Sequence, residues 1–206
     1  MSREKGKREQ ILKAAIEVFG SKGFHTANII DIAEKAGIGK GTIYEYFESK
    51  NSLFIEAIRY KTQIYLEKME CHINKYNSFY DKINAFIDFQ RIVIKENFNF
   101  ADVFIKNHED TFLTADDKKE ACDLMIKARK KVIEILADIL DPKREKSDLC
   151  VTDEEFTADI FYEMVTRCGI RAIAMNLSEK QIACEKEKLR DLFFNGVKHK
   201  AKHINN

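Results

Sequence analysis

Proline occurs once in the 206 residues, at Pro142, and glycine only eight times. So few turn formers argue against a fold of many short strands, and no stretch shows the two-residue apolar alternation of a half-buried strand. Apolar runs stay far below the roughly 20 residues that span a bilayer. The charged N-terminus, MSREKGKREQ, is not followed by the apolar core of a signal peptide. The expectation is therefore a cytoplasmic protein with no membrane partner. Cys71, Cys122, Cys150, Cys168 and Cys184 are odd in number, scattered, and free of any Cys-x-x-Cys pair. Neither a disulfide framework nor a zinc site is indicated, and the thiols read as small apolar residues. Cys71–His72 resembles half a metal site but has no second pair at ligand spacing, so no metal and no cofactor is expected. The formal net charge is only +1, which excludes a protein that coats nucleic acid over its whole surface. Any such contact must come from a local patch.

What remains is helical. With 45% apolar and 33% charged residues, the chain is an ordinary globular protein. Ile11, Ala15, Val18 and Phe19 share one helical face over residues 8–19, and the segment from Gly20 to Gly23 closes that helix. A shorter helix runs to Lys35, a third from about Gly39 to Tyr46, and Ser49 caps a fourth that carries Leu53, Ala57, Ile58 and Ile64. Beyond residue 75, Ser78-x-x-Asp81, Thr114-x-x-Asp117, Thr152-x-x-Glu155 and Ser178-x-x-Gln181 each place a hydroxyl before a helix and a partner three residues on. They predict helices near 79–97, 116–140, 153–177 and 179–200, with a short one around Phe98–Asn107. The polar run from Asp141 to Asp148 is a loop. The fold class is all-α: a small head over residues 1–48, and a larger helical body over residues 49–206.

The most informative stretch runs from Thr26 to Lys50. Two short helices that cross closely need a small residue at the crossing, which Ala33 supplies. Four residues later the turn needs a backbone that tolerates positive φ, which Gly37 supplies. Ile32, Ala36, Ile38 and Ile43 are placed to hold the second helix on the first. That helix opens with Gly39, Lys40, Gly41 and Thr42, small and polar residues suited to entering a groove between phosphates. The pattern is a helix-turn-helix over about residues 27–47.

Thr26, Ile32-Ala33, Ala36-Gly37, Gly41-Thr42-Ile43-Tyr44, Tyr46-Phe47, Lys50 and Leu53 together resemble the signature of the tetracycline-repressor (TetR) family, over residues 8–55. The resemblance implies a homodimer whose subunits each carry a three-helix DNA-binding head and a ligand-binding and dimerisation body. It implies a sequence-specific regulator of double-stranded DNA, in most members a repressor released from a palindromic operator by a small effector. By position, Lys40, Thr42 and Tyr44 are expected to reach base edges or thymine methyls. Gly39 and Gly41 let the backbone approach. Thr26 is expected to cap the second helix and bond a phosphate, and Tyr46 and Lys50 resemble the family's phosphate contacts. Lys5, Lys7 and Arg8 either add backbone contacts or form a solvated terminus. Phe47 is expected to pack under the head. Residues 1–50 hold nine Lys/Arg against seven Asp/Glu. If a dimer neutralises about eight phosphates, the log–log salt slope of binding is about −7.

The body has nine aromatics between Tyr76 and Phe112, about twice the chain-wide share of 11%. They form plain core, or they line a cavity for a hydrophobic effector. On the second reading Phe86, Phe89, Phe104 and Phe112 line it with Met125 and Met164, and Gln90, His108 and Arg167 anchor polar groups. Arg167 interrupts an apolar helix and needs a partner if buried. Phe156, Ile160, Phe161, Met164, Val165, Cys168, Ile173 and Met175 precede a last helix carrying Ile182, Leu189, Leu192, Phe193 and Val197. These two helices are expected to form the dimer seam, with Gly169 permitting close approach. Periodicity does not separate core from seam. An all-α enzyme is the rival reading, but no metal cluster, nucleophile–base motif or phosphate loop supports it. A protein-interaction module is the other. Effector identity, operator sequence, and repression against activation stay open.

Overall fold

The computed structural model describes residues 2–106, 113–141 and 153–198, with side chains over 6–96, 113–141 and 153–195. Among the described residues there are eight helices and no strand: α1 (Ser2–Thr26), α2 (Ile29–Lys35), α3 (Lys40–Tyr46), α4 (Lys50–Ile73), α5 (Phe79–Lys106), α6 (Ala115–Leu140), α7 (Glu154–Ala174) and α8 (Glu179–Lys198).

Helix ends follow local chemistry. Gly23, at φ 77°, breaks α1 one turn before its last residue, a conformation that side chains beyond Cα disfavour. Ser49 accepts from the Ser52 N–H at 3.0 Å and opens α4. Ser78, Thr114 and Ser178 cap α5, α6 and α8 as their spacing predicts. Three expectations need correction. The cap of α2 is Asn28, not Thr26: Asn28 Oδ1 accepts from the Asp31 N–H at 2.8 Å, and Asp31 answers by accepting from the Asn28 N–H. Thr26 lies two residues too early, inside the last turn of α1. The cap of α7 is Asp153, which accepts from the Phe156 N–H at 2.9 Å; Thr152 lies outside the described residues. No separate helix starts near Phe98, because no glycine or proline interrupts residues 79–106 and α5 runs through.

The chain forms two compact units, one of residues 1–67 with 97–128, the other of residues 68–96 with 129–206. Their boundaries fall inside α4, α5 and α6. The core of the first unit joins Ile11, Ala15 and Phe19 of α1, Ile32 and Ala33 of α2, Ile43 of α3 and Leu53, Phe54 and Ala57 of α4. The start of α6 belongs to that same core, through buried Ala121 and the partly buried Leu124, with Leu113 just before the helix. In the second unit Phe161 packs against Phe193 with centroids 4.3 Å apart and the rings tilted by 38°, and Phe86 lies 5.9 Å from Phe161. Gly169 permits a close helix approach, but within this chain: a Cβ there would lie 2.6 Å from Ile94 Cδ1 of α5.

Candidate nucleic-acid interface

The turn between α2 and α3 is a Schellman motif. Ala36 is the C-cap, Gly37 adopts φ 63°, the Gly37 N–H donates to the Glu34 carbonyl, and the Ile38 N–H donates to the Ala33 carbonyl at 3.0 Å. This arrangement satisfies the last carbonyls of α2 and fixes the direction in which α3 leaves. Gln10 of α1 grips the same turn by donating to the Ala36 carbonyl at 2.6 Å. Ile32, Ala33, Ala36 and Ile43 are buried, as the spacing predicts, and Phe47 packs under the head.

On the outer face of α3, Gly39, Lys40, Gly41 and Tyr44 are exposed, and Thr42 and Tyr46 half-buried. Tyr44 keeps 46% of its surface open, and the Lys40 ammonium lies 5.9 Å from its ring centroid, one helical turn away. No heavy atom outside the local backbone lies within 4 Å of a Cβ built at Gly39 or Gly41. Packing therefore does not require glycine at either position.

The head's other cations are largely engaged. Lys22 pairs with Asp31 at 2.9 Å, holding that carboxyl below its ordinary value, Lys35 pairs with Glu17 at 2.6 Å, and Arg8 pairs with Glu56. Lys50 donates to the His25 carbonyl at 3.2 Å while its ammonium sits 4.5 Å from the Phe24 ring centroid. Burial holds that ammonium below the ordinary lysine value. Sequence reasoning missed these ties, because the choice of ion-pair partner depends on tertiary packing.

Among the described residues, those expected to line an effector cavity do not share a single cleft. Phe86 and Phe89 are buried in packed rings, Phe86 against Phe161 and Tyr162, Phe89 against His72. Gln90 is 4% exposed and donates to Thr166 Oγ1 at 3.3 Å, close to Tyr162, whose hydroxyl burial pushes up. Met164 is half-buried. Arg167 and Met125 are exposed. The side chain of Phe104, and all of His108 and Phe112, lie outside the described residues. A cleft of about 500 Å³ opens elsewhere in the second unit, between Glu70, Ile73, Asn74, Lys82, Lys131 and Asp138. A smaller one lies against Cys168 and Gly169. Neither is lined by the expected effector residues.

In α7 and α8 the structure separates buried from open apolar residues. Phe161, Val165, Leu189 and Phe193 are buried, whereas Phe156 is 64% and Leu192 66% exposed, with Ile160, Ile170 and Met175 also open. Among the described residues no group of three His, Cys, Asp or Glu is placed to hold a metal ion, and no helix is long and apolar enough to cross a membrane.

Residues 11–57 match the sequence profile of bacterial regulatory proteins, tetR family. The fatty acid metabolism regulator protein of Bacillus subtilis is 28% identical over 141 residues, 68% of this chain and 66% of that one. The chain spans still less of the next curated relatives. A solved TetR-family regulator from Mesorhizobium loti superposes with TM-score 0.77 at 18% identity, covering 95% of this chain and 98% of that one. The regulator FadR of Bacillus subtilis, solved with stearoyl-CoA, does so with TM-score 0.63 at 20% identity, covering 92% and 98%.

Proposed function

This chain belongs to the TetR family of bacterial regulators, and on that premise we propose that it is a ligand-responsive, sequence-specific DNA-binding repressor. It acts in the cytoplasm as a homodimer on a palindromic operator. The observation that carries this reading is the α2–α3 turn, which seats a short helix with its glycines, Lys40 and Tyr44 facing outward. Residues 1–48 contact the DNA, and residues 49–206 provide dimerisation and effector binding. Lys40, Thr42 and Tyr44 read base edges, Gly39 and Gly41 let the backbone close on the duplex, and Thr26 and Tyr46 hold phosphates. Lys50 spends one N–H on the His25 carbonyl and offers its remaining donors to a phosphate.

The effector is a hydrophobic small molecule, a reading supported by the fatty acid regulator among the relatives and by the stearoyl-CoA held by FadR. Phe86, Phe89, Gln90, Phe104, His108, Phe112 and Met164 are its candidate contacts. With Phe86 and Phe89 closed in the core, binding must open packed rings, so affinity is reduced by the fraction of molecules already open.

Selection from a random duplex pool at about 0.15 M salt tests the reading. The expected result is an inverted repeat with half-site centres about one helical turn, 34–36 Å, apart. Stearoyl-CoA added to the purified complex should then release the operator. A folded dimer that enriches no sequence, with or without acyl-CoA, sinks the DNA-binding reading. Enrichment without release by acyl-CoA sinks only the effector class.

A further inference from the structure

In the first unit, outside the helix-turn-helix, four charged side chains form an alternating chain. Glu120, on the second turn of α6, accepts from Arg59 Nη2 at 2.5 Å. Arg59 Nε donates to Glu56 Oε1 at 3.2 Å. The other oxygen of that carboxylate accepts from Arg8 Nη2 at 2.5 Å, and the Arg8 guanidinium lies 5.2 Å from the centroid of Phe47. Phe47 is the C-cap residue of α3 and is buried. The chain of charges therefore runs from α6 through α4 and α1 to the end of α3. A second tie lies beside it, where Asn51 at the start of α4 donates to Asp117 in the first turn of α6 at 2.9 Å. The apolar side agrees, since Ala121 and Leu124 of α6 pack into the core of the head.

We propose that Glu120, Arg59 and Glu56 are positioning residues for DNA binding, and that the first turns of α6 are part of the DNA-binding unit. They touch no DNA. They set the place of α3 by fixing Arg8 beneath Phe47. A lone exposed ion pair contributes little, but carboxylates and guanidinia that share partners couple their geometry. The inference rests on the DNA-binding reading, yet part of its test needs no DNA.

The sign of one substitution is diagnostic. Glu120→Gln removes a negative charge, which by long-range electrostatics alone strengthens binding to a polyanion. A positioning role predicts the opposite, with the full-length protein's operator affinity falling about fivefold. The selected sequence and the salt slope should not change, because no phosphate or base contact is lost. Glu120→Asp, which keeps the carboxylate, should recover most of that loss. Combining Glu120→Gln with Arg8→Met should cost about five- to tenfold, not the roughly twenty-five-fold of independent sites. Without DNA, amide hydrogen exchange over Ile43–Phe47 should quicken severalfold in Glu120→Gln. Equal or tighter operator binding by Glu120→Gln, multiplying effects, or unchanged exchange at Ile43–Phe47 each overturn the proposal. If the native protein selects no DNA sequence, the DNA-binding reading fails on its own account, and the exchange measurement still decides whether α6 holds α3.

Discussion

Gly37 and Gly41 stand four residues apart and have opposite requirements. At Gly37 the positive φ of 63° makes any side chain strained, so Gly37→Ala should destabilise the protein by about 1–2 kcal/mol, read from denaturant midpoints. Gly41 is helical and meets nothing within 4 Å of an added Cβ. Gly41→Ala should therefore stabilise by about 0.5–1 kcal/mol while weakening operator binding, because the new methyl intrudes where the duplex approaches. Loss of stability, or a stability gain with DNA affinity intact, would remove the case for close approach. Lys40 and Lys50 separate in the same way. Lys40→Met should relax sequence preference at one position per half-site. Lys50→Met should flatten the salt slope by about 0.9 for each phosphate released, and should also lower stability by freeing His25 and Phe24. An unchanged slope would leave Lys50 as an internal tie alone. Since Lys22, Lys35 and Arg8 are already paired with carboxylates, the total slope should be shallower than the −7 expected for about eight phosphates.

Between elements, Tyr60 of α4 donates to Glu9 of α1 at 2.7 Å. Burial, then the Glu9 carboxylate, push its phenol up to about 12 from 10.0. A group whose value is raised by folding contributes stability below its unfolded value and loses it as pH climbs through the folded one. The α1–α4 contact should therefore weaken between about pH 10 and 12, and Tyr60→Phe should remove that part of the alkaline decline in thermal unfolding. A decline identical in Tyr60→Phe would assign the effect to other groups. Where α5 and α7 cross, Gly169→Ala should be close to neutral: the contact with Ile94 Cδ1 meets the mobile end of a side chain, and gained helix propensity of about 1 kcal/mol offsets it. Gly169→Leu should destabilise by about 1–3 kcal/mol. Elements were legible from sequence where their signals are local. Gly37, Ala33 and the Ser49, Ser78, Thr114 and Ser178 caps act within a few residues of themselves. The cap of α2 was misplaced because Thr26 and Asn28 both suit the role, and only the break at Gly23 decides between them. Arg167 and Met125 are exposed, which periodicity could not show because it gives a helix face and not what covers it. Tyr162 and Thr166 escaped notice because Thr166 lies 76 residues from Gln90 along the sequence.

For the whole molecule, the open residues Phe156, Ile160, Ile170, Met175 and Leu192 are the surface that the proposed homodimer must cover. Phe156→Glu with Leu192→Glu should yield a folded monomer by sedimentation and reduce operator affinity steeply, since one recognition helix then works alone. A stable dimer in that variant would place the seam elsewhere. Which apolar residues of α7 and α8 belong to the core could not be read from their spacing, because buried and open apolar residues share the same two helices.

The three helices that cross between the compact units also bear on how the protein is made. The head's hydrophobic core is complete only once Ala121 and Leu124 have joined it, although its helix-turn-helix is encoded in the first quarter of the chain. On a ribosome adding about 5–20 residues per second, the head therefore waits several seconds before its last wall arrives. A truncated gene ending after the helix-turn-helix, however tempting as a minimal DNA-binding module, would leave that wall permanently missing.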